Sequence, residues 1–331
     1  MRAGVIGGGS WGSAFALHLG RIGVPTRLWI RETDIRDAAT REHENKVFLP
    51  GFPFPPEVTF PRSLAGTVAG ADLIFIAVPS AYFRRVLARV AHAIGAGQGV
   101  ISLTKGLEKG SLLRMSEVME DVFSRSSRHR FGVLSGPSFS REVAQGFPTA
   151  LVLASRRAAW ARAVQARIAG PTLRIYASAD VAGVEIAGGL KNVIAIATGI
   201  GDALGFGHNA RAALITRGLA EISRLGAALG AKHATFSGLA GMGDLVLTCT
   251  GVLSRNRTVG IELGRGRRLA DIVADMRMVA EGIATTLAAR RLARREGVEM
   301  PITDQVYQIL YHGKDPRRAL ADLMARSLKD E

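Results

Sequence analysis

Six residues near the start of the chain constrain its fold most: Gly7-Gly8-Gly9-Ser10-Trp11-Gly12. They follow a short apolar run, Ala3–Ile6, and precede a helical stretch, Ser13–Leu19. Glycines at 7, 9 and 12 fit the G-x-G-x-x-G turn that joins a strand to a helix in dinucleotide-binding folds. Gly7 permits the tight turn. Gly9 lets the backbone approach a pyrophosphate, and Gly12 lets helix and strand pack closely. The helix N-terminus then offers N–H groups and its positive dipole end to phosphate. A glycine-rich turn without a ligand is the plain alternative.

The residues that follow support an α/β fold. Candidate strands are Ala3–Ile6, Thr26–Ile30, Leu73–Val78, Gly99–Leu103, Arg130–Leu134, Ala150–Leu153 and Leu173–Tyr176. The run from Asp72 to Val78 is apolar after its first residue, as in a strand covered on both faces, and points to a parallel, doubly wound sheet. Beyond Val181 strand signals nearly vanish. Helices are predicted at Val181–Leu204, Ala210–Leu229, Arg255–Leu263, Leu269–Met276, Gly282–Glu296, Thr303–Tyr311 and Pro316–Ala325. The boundary is placed at Ala179-Asp180, giving an α/β domain over 1–179 and an all-α domain over 180–331.

Composition narrows the class. Apolar residues make up 47% of 331, which rules out wholesale disorder. One cysteine, Cys249, leaves no internal disulfide and suggests a reducing compartment. No long apolar run is free of charges or glycine clusters, and the N-terminus lacks a secretory pattern, so a soluble cytoplasmic protein without a membrane span is expected. The net charge is +15, and of 43 basic residues 7 are lysine and 36 arginine. The arginine pairs (Arg84-Arg85, Arg156-Arg157, Arg267-Arg268, Arg290-Arg291, Arg294-Arg295) lack interleaved aromatics and read as solvated helix faces. Small anionic ligands rather than nucleic acid fit this pattern. The histidines show no ligand spacing, so no metal is expected.

Two further segments carry chemistry. Gly188-Gly189-Leu190-Lys191-Asn192 lies in a helix apolar nearly all round, which is buried. A lysine there must be paired or give up its charge, unless it snorkels to solvent. Held in that way, it can donate a proton. Gly238-Leu239-Ala240-Gly241-Met242-Gly243-Asp244 ends on the acid best suited to hold it, with Thr248 one turn on. Ser254-Arg255-Asn256-Arg257 reads as an N-cap followed by a guanidinium, which is either a phosphate site or an ordinary capped surface helix. After the second strand, Arg31 stands where an acid commonly binds a ribose hydroxyl. It can clamp a 2′-phosphate, stack on adenine or lie in solvent. With Glu32 beside it, the choice between NADH and NADPH stays open.

These segments, with Phe48-Leu49-Pro50, Thr104-Lys105-Gly106, Ser135–Val143 and Glu281-Gly282, resemble in order those of the bacterial NAD(P)-dependent glycerol-3-phosphate dehydrogenases. The likeness covers residues ~5–285. It implies a Rossmann-type domain, an all-α domain and a site in the cleft between them. It also implies a homodimer and interconversion of sn-glycerol 3-phosphate and dihydroxyacetone phosphate for glycerophospholipid synthesis. Lys191 would be the proton donor or acceptor, oriented by Asp244. Lys105, Gly136, Ser138, Asn192, Thr248, Ser254, Arg255 and Asn256 would surround the substrate. Gly7, Gly9, Ser10, Trp11, Gly12, Arg31, Lys105, Ser140, Arg255, Val279 and Glu281 would hold NAD(P)H. Ser13 and Ser140 depart from a usual threonine and alanine. Two rivals remain. A β-hydroxyacid dehydrogenase would usually carry its asparagine four residues after the lysine, where this chain has Ala195. A dinucleotide-sensing protein without catalysis would have no reason to bury a lysine beside an acid.

Overall fold

The computed structural model describes residues 1–124, 129–276 and 278–328. They form two compact units: Met1–Glu108 with Leu113–Glu185, and Lys109–Leu112 with the chain from Ile186 onward.

The first unit is α/β. Its strands are β1 (Ala3–Ile6), β2 (Thr26–Trp29), β3 (Val58–Thr59), β4 (Leu73–Ile76), β5 (Gly99–Ser102), β6 (Arg130–Ser135), β7 (Thr149–Ala154) and β8 (Leu173–Ser178). Helices α1 (Ser10–Arg21), α2 (Thr33–Glu42), α3 (Leu64–Val68), α4 (Ser80–Val90), α5 (Met115–Val122), α6 (Ser140–Gln145) and α7 (Ala158–Ile168) connect them. One sheet runs β3-β2-β1-β4-β5-β6-β7-β8. Every residue of β1, β4 and β5 is buried, as helices on both faces require. Phe15 of α1 meets Phe75 of β4 edge-on, with ring centres 4.8 Å apart.

Two features correct the expected sheet. β7 runs antiparallel to β6, with Ser135 opposite Val152, so the sheet is not parallel throughout. The connection carries only the short α6, which packs on α1, and the chain re-enters the sheet at the end where β6 left it. The edge strand β3 is not among the strands the sequence predicts. Pro55, Pro56 and Pro61 flank it, lack N–H donors and confine its pairing to two residues.

The second unit is helical: the remainder of α8 (Val181–Ala203), then α9 (Gly207–Ala228), α10 (His233–Phe236), α11 (Asp244–Thr250), α12 (Arg255–Gly264), α13 (Leu269–Asp275), α14 (Glu281–Arg295), α15 (Pro301–His312) and α16 (Pro316–Met324). α8 is long and apolar enough to cross a membrane, but 89% of its apolar window is buried inside the fold, as in a core helix. It crosses α12 at backbone contact: a Cβ on Gly199 would lie 2.1 Å from the Arg257 carbonyl oxygen, and one on Gly260 2.1 Å from that of Ile196. This crossing brings the Lys191 helix against the Ser254–Arg257 segment. Of the arginines expected on solvated faces, Arg290 is drawn inward, whereas Arg84 stays partly exposed and is held by two acids. Arg84 pairs with Glu108 and Asp121, while Arg290 pairs with Asp304 and stacks 4.0 Å over Tyr307.

Candidate active site

In the first unit the glycine turn has the shape a dinucleotide needs. Gly7 adopts φ +119°, and a Cβ there would lie 2.7 Å from the Ala77 carbonyl oxygen. A Cβ on Gly12 would lie 1.9 Å from the Gly7 oxygen, whereas one on Gly9 would meet nothing within 4 Å. Two glycines are therefore demanded by packing, and the third leaves an open face. Gly9 caps α1, which begins at Ser10, three residues earlier than predicted, and has no side chain to occupy the first-turn N–H groups. Trp11 packs on Phe15, and its indole Nε1 is buried without a hydrogen-bond partner. An open face at Gly9 and an orphaned donor in the same helical turn fit a bound dinucleotide.

Arg31 lies just past β2, its side chain 66% exposed and paired with Glu32 at 2.5 Å. Lys105 donates to the Gly136 carbonyl oxygen at 2.8 Å and to Ser138 Oγ at 3.4 Å. Gly136, at φ +132°, turns the chain out of β6, and Ser140 opens α6.

In the second unit Lys191 is 6% exposed and Asp244 1%. Lys191 Nζ donates to Asp244 Oδ1 at 2.5 Å and to Thr248 Oγ1 at 2.7 Å, and Thr248 Oγ1 donates to the Asp244 carbonyl oxygen at 2.6 Å. The lysine is thus paired rather than snorkelling. Asp244 is the first residue of α11 and follows a π-helical turn, Leu239–Gly243. A Cβ on Gly241 would lie 2.1 Å from the Phe236 carbonyl oxygen, so the glycines permit the wide turn that delivers the acid. Cys249 is buried close by. Burial pushes its thiol up to about 12, so it is no nucleophile.

Ser254 caps α12, its Oγ accepting from the Arg257 N–H at 3.2 Å. The two arginines of this segment then part. Arg257 pairs with Asp202 at 2.6 Å and anchors α12 to α8. Arg255, exposed, donates to the Val279 carbonyl oxygen at 3.1 Å, and Glu281 acts on it electrostatically. Residues two apart on a helix face different ways, which was the available signal for this division. Asn256 Nδ2 donates to Asn192 Oδ1 at 2.9 Å, and its Oδ1 accepts from the Gly282 N–H at 2.9 Å. Lys191, Asp244 and Thr248 thus form one buried hydrogen-bonded group, and Asn192 and Asn256 a second that adjoins it at consecutive residues of α8.

Asn45 joins the glycine turn without any sequence signal of its own. It is wholly buried and donates to the Gly8 carbonyl oxygen at 2.7 Å and to Ser13 Oγ at 2.9 Å. No local pattern marks a loop asparagine 37 positions from its partner.

A glycine turn shaped for pyrophosphate and a buried lysine–carboxylate pair together define a dinucleotide-dependent oxidoreductase. Comparison with known proteins narrows this class. Residues 2–161 match the N-terminal, and residues 180–321 the C-terminal, family of NAD-dependent glycerol-3-phosphate dehydrogenase. The chain belongs to this family. A relative from Geobacter sulfurreducens named glycerol-3-phosphate dehydrogenase [NAD(P)+] is 51% identical over 330 residues, covering 100% of this chain and 98% of its own. One of the same name from Syntrophotalea carbinolica is 50% identical over 331 residues, covering 100% and 99%. The crystal structure of glycerol-3-phosphate dehydrogenase from Coxiella burnetii superposes with a TM-score of 0.94 at 41% identity, over 98% of this chain and 99% of that one.

Proposed function

We propose that this chain interconverts sn-glycerol 3-phosphate and dihydroxyacetone phosphate with NAD(P)(H), using Lys191 as proton donor and acceptor. Family membership points to the reaction, and the Lys191–Asp244–Thr248 cluster is the observation that carries the mechanism.

Gly7, Gly9, Ser10, Trp11, Gly12, Arg31, Lys105, Ser140, Arg255, Val279 and Glu281 would hold the dinucleotide, which supplies the hydride when bound. During reduction, negative charge grows on the oxygen at C2 of dihydroxyacetone phosphate. Lys191 Nζ stabilises that charge and gives it a proton, producing the secondary alcohol and a neutral amine. Oxidation returns the proton to Nζ. Asp244 and Thr248 fix the direction of Nζ, so little reorganisation accompanies transfer. Ser254, Arg255 and Asn256 would take the phosphate. Asn256 commits one N–H and its carbonyl to Asn192 and Gly282, leaving a second N–H. Lys105, Gly136, Ser138 and Asn192 complete the substrate contacts. In this reading the domains divide at residues 179 and 180, and a cytoplasmic homodimer feeds glycerophospholipid synthesis.

The test is oxidation of NADPH and NADH, followed by absorbance, with dihydroxyacetone phosphate, phosphate-free dihydroxyacetone and a β-ketoacid offered in turn. Turnover confined to the phosphate ester is expected. Efficient use of dihydroxyacetone or the ketoacid would remove the phosphate assignment.

A further inference from the structure

The amide of Asn45 is aimed at the turn on which dinucleotide binding depends. Asn45 Nδ2 donates to the Gly8 carbonyl oxygen at 2.7 Å, and Ser13 Oγ donates to the same oxygen at 3.1 Å. Both side chains are fully buried, so the Gly8 carbonyl is drawn into the protein and held by two donors. The peptide joining Gly8 to Gly9 is trans, because the described chain has no cis bonds. In a trans peptide the C=O and the following N–H point in opposite directions. Pulling the Gly8 oxygen inward therefore turns the Gly9 N–H outward, at the residue whose Cα faces open space.

Asn45 is itself held firmly. Its Oδ1 accepts from the Phe48 N–H at 3.1 Å, and its backbone carbonyl accepts from the Leu49 N–H at 2.9 Å. Leu49 and Phe54 are core residues of the first unit. Glu44 Oε1 accepts from the Gly51 N–H at 2.7 Å, and the His43 carbonyl oxygen accepts from the Phe54 N–H at 2.6 Å. The loop after α2 is thereby fastened to the core and presents one amide inward. The isolated Phe48-Leu49-Pro50 run gains a physical role as part of this anchor.

We propose that Asn45 is a positioning residue for the dinucleotide, orienting the Gly9 N–H toward the pyrophosphate without touching it. This rests on the reading of Gly7–Gly12 as the dinucleotide turn. Misdirecting an N–H that binds an anion removes a charge-assisted bond, which weakens binding by about 10–150-fold. The direct test is calorimetric titration of full-length wild type and Asn45→Ala with NAD⁺ and NADP⁺, alongside kcat and the KM for dihydroxyacetone phosphate. Both dissociation constants should rise by about that factor, because the pyrophosphate is common to them. The kcat at saturating dinucleotide and the KM for substrate should change far less. Dissociation constants within twofold of wild type, or parallel damage to kcat and both affinities, would overturn the proposal. Wild type that binds neither dinucleotide would instead overturn the underlying reading.

If Asn45→Ala does not fold, the isosteric Asn45→Asp decides. It keeps an acceptor for the Phe48 N–H but sets a carboxylate oxygen against the Gly8 oxygen. Only when protonated can it donate there. Its NADP⁺ affinity, relative to wild type at the same pH, should be poor at about pH 8 and recover at about pH 5.5, since burial raises a carboxyl pKa. No recovery would overturn the proposal. If Asn45→Ala does fold and binds normally while Asn45→Asp binds poorly, the effect is charge alone and the proposal fails.

Discussion

Lys191 Nζ stands 2.5 Å from Asp244 Oδ1, and the two side chains are 8% and 1% exposed. Removing the lysine takes the paired cation from a buried carboxylate, at a cost of roughly 3–5 kcal/mol, and removes the proposed proton donor. Lys191→Ala should lower kcat by about 10²–10⁴-fold while leaving dinucleotide affinity near normal. It should also lower the melting temperature, and the double variant Lys191→Met with Asp244→Asn should regain much of that loss. Steady-state rates with folded protein decide the chemical role. A kcat within about threefold of wild type would take Lys191 out of the reaction.

Arg31 and Glu32 form an exposed pair at 2.5 Å, beside the position where the second ribose is expected. Such pairs are worth about 0–1 kcal/mol, so a 2′-phosphate can displace Glu32 from the guanidinium. Arg31→Ala should weaken NADPH more than NADH, and Glu32→Gln should tighten NADPH slightly by freeing the arginine. The ratio of the two dissociation constants in each variant is the measurement. An unchanged ratio in Arg31→Ala would leave that residue stacking on adenine or in solvent.

What could be read ahead of the structure follows from whether a signal is local. The glycine turn, the lysine interrupting an apolar helix and the serine before α12 each carry their physics within a few residues, and their elements lie where those residues required. The partners were harder. Asp244 could be matched to Lys191 because a buried cation demands an anion and few acids sit in apolar, glycine-rich surroundings. Asn45 and Glu221 gave no such hint: an asparagine in a loop and a glutamate on a helix look like surface residues until tertiary packing buries them. The reversal of β7 was illegible for a related reason. Strand direction depends on where α6 packs, and nothing in the composition of β7 records it.

Glu221 on α9 is 1% exposed and accepts from the Ile302 N–H at 2.6 Å, the Thr303 N–H at 3.2 Å and Thr303 Oγ1 at 3.1 Å, capping α15. Burial pushes its carboxyl up to about 7, against the downward pull of those bonds. The folded state therefore holds this proton more tightly than the unfolded chain does. The contribution is fully present below the ordinary glutamate pKa of about 4.5 and is lost as pH rises through about 7. The change is on the order of 3 kcal/mol. Urea unfolding of wild type and Glu221→Gln at about pH 5 and about pH 8 should show the variant gaining on wild type by up to that amount as pH rises. Identical pH dependence in the two proteins would show that Glu221 does not titrate in this window.

Arg255 has two connections, and one substitution tests both. It follows the Ser254 cap at the start of α12, where first-turn N–H groups and the helix dipole favour an anion. Its guanidinium also donates to the Val279 carbonyl oxygen, next to the start of α14 at Glu281. If the fork reads the substrate phosphate, Arg255→Ala loses a charge-assisted contact of about 1.5–3 kcal/mol, and the KM for dihydroxyacetone phosphate should rise ~10–150-fold. Arg255→Lys keeps the charge and loses the bidentate geometry, so it should recover only part of this. Dihydroxyacetone, having no phosphate, should be a poor substrate for wild type and nearly indifferent to either change. The Val279 contact adds a separate effect: Arg255→Ala frees the segment before α14, so dinucleotide affinity should fall as well, and should fall less in Arg255→Lys, whose ammonium can still donate to that carbonyl. Equal KM increases for dihydroxyacetone and its phosphate would mean that Arg255 acts through Val279 alone. The phosphate would then have to be held by Ser254, Asn256 and the backbone at the start of α12.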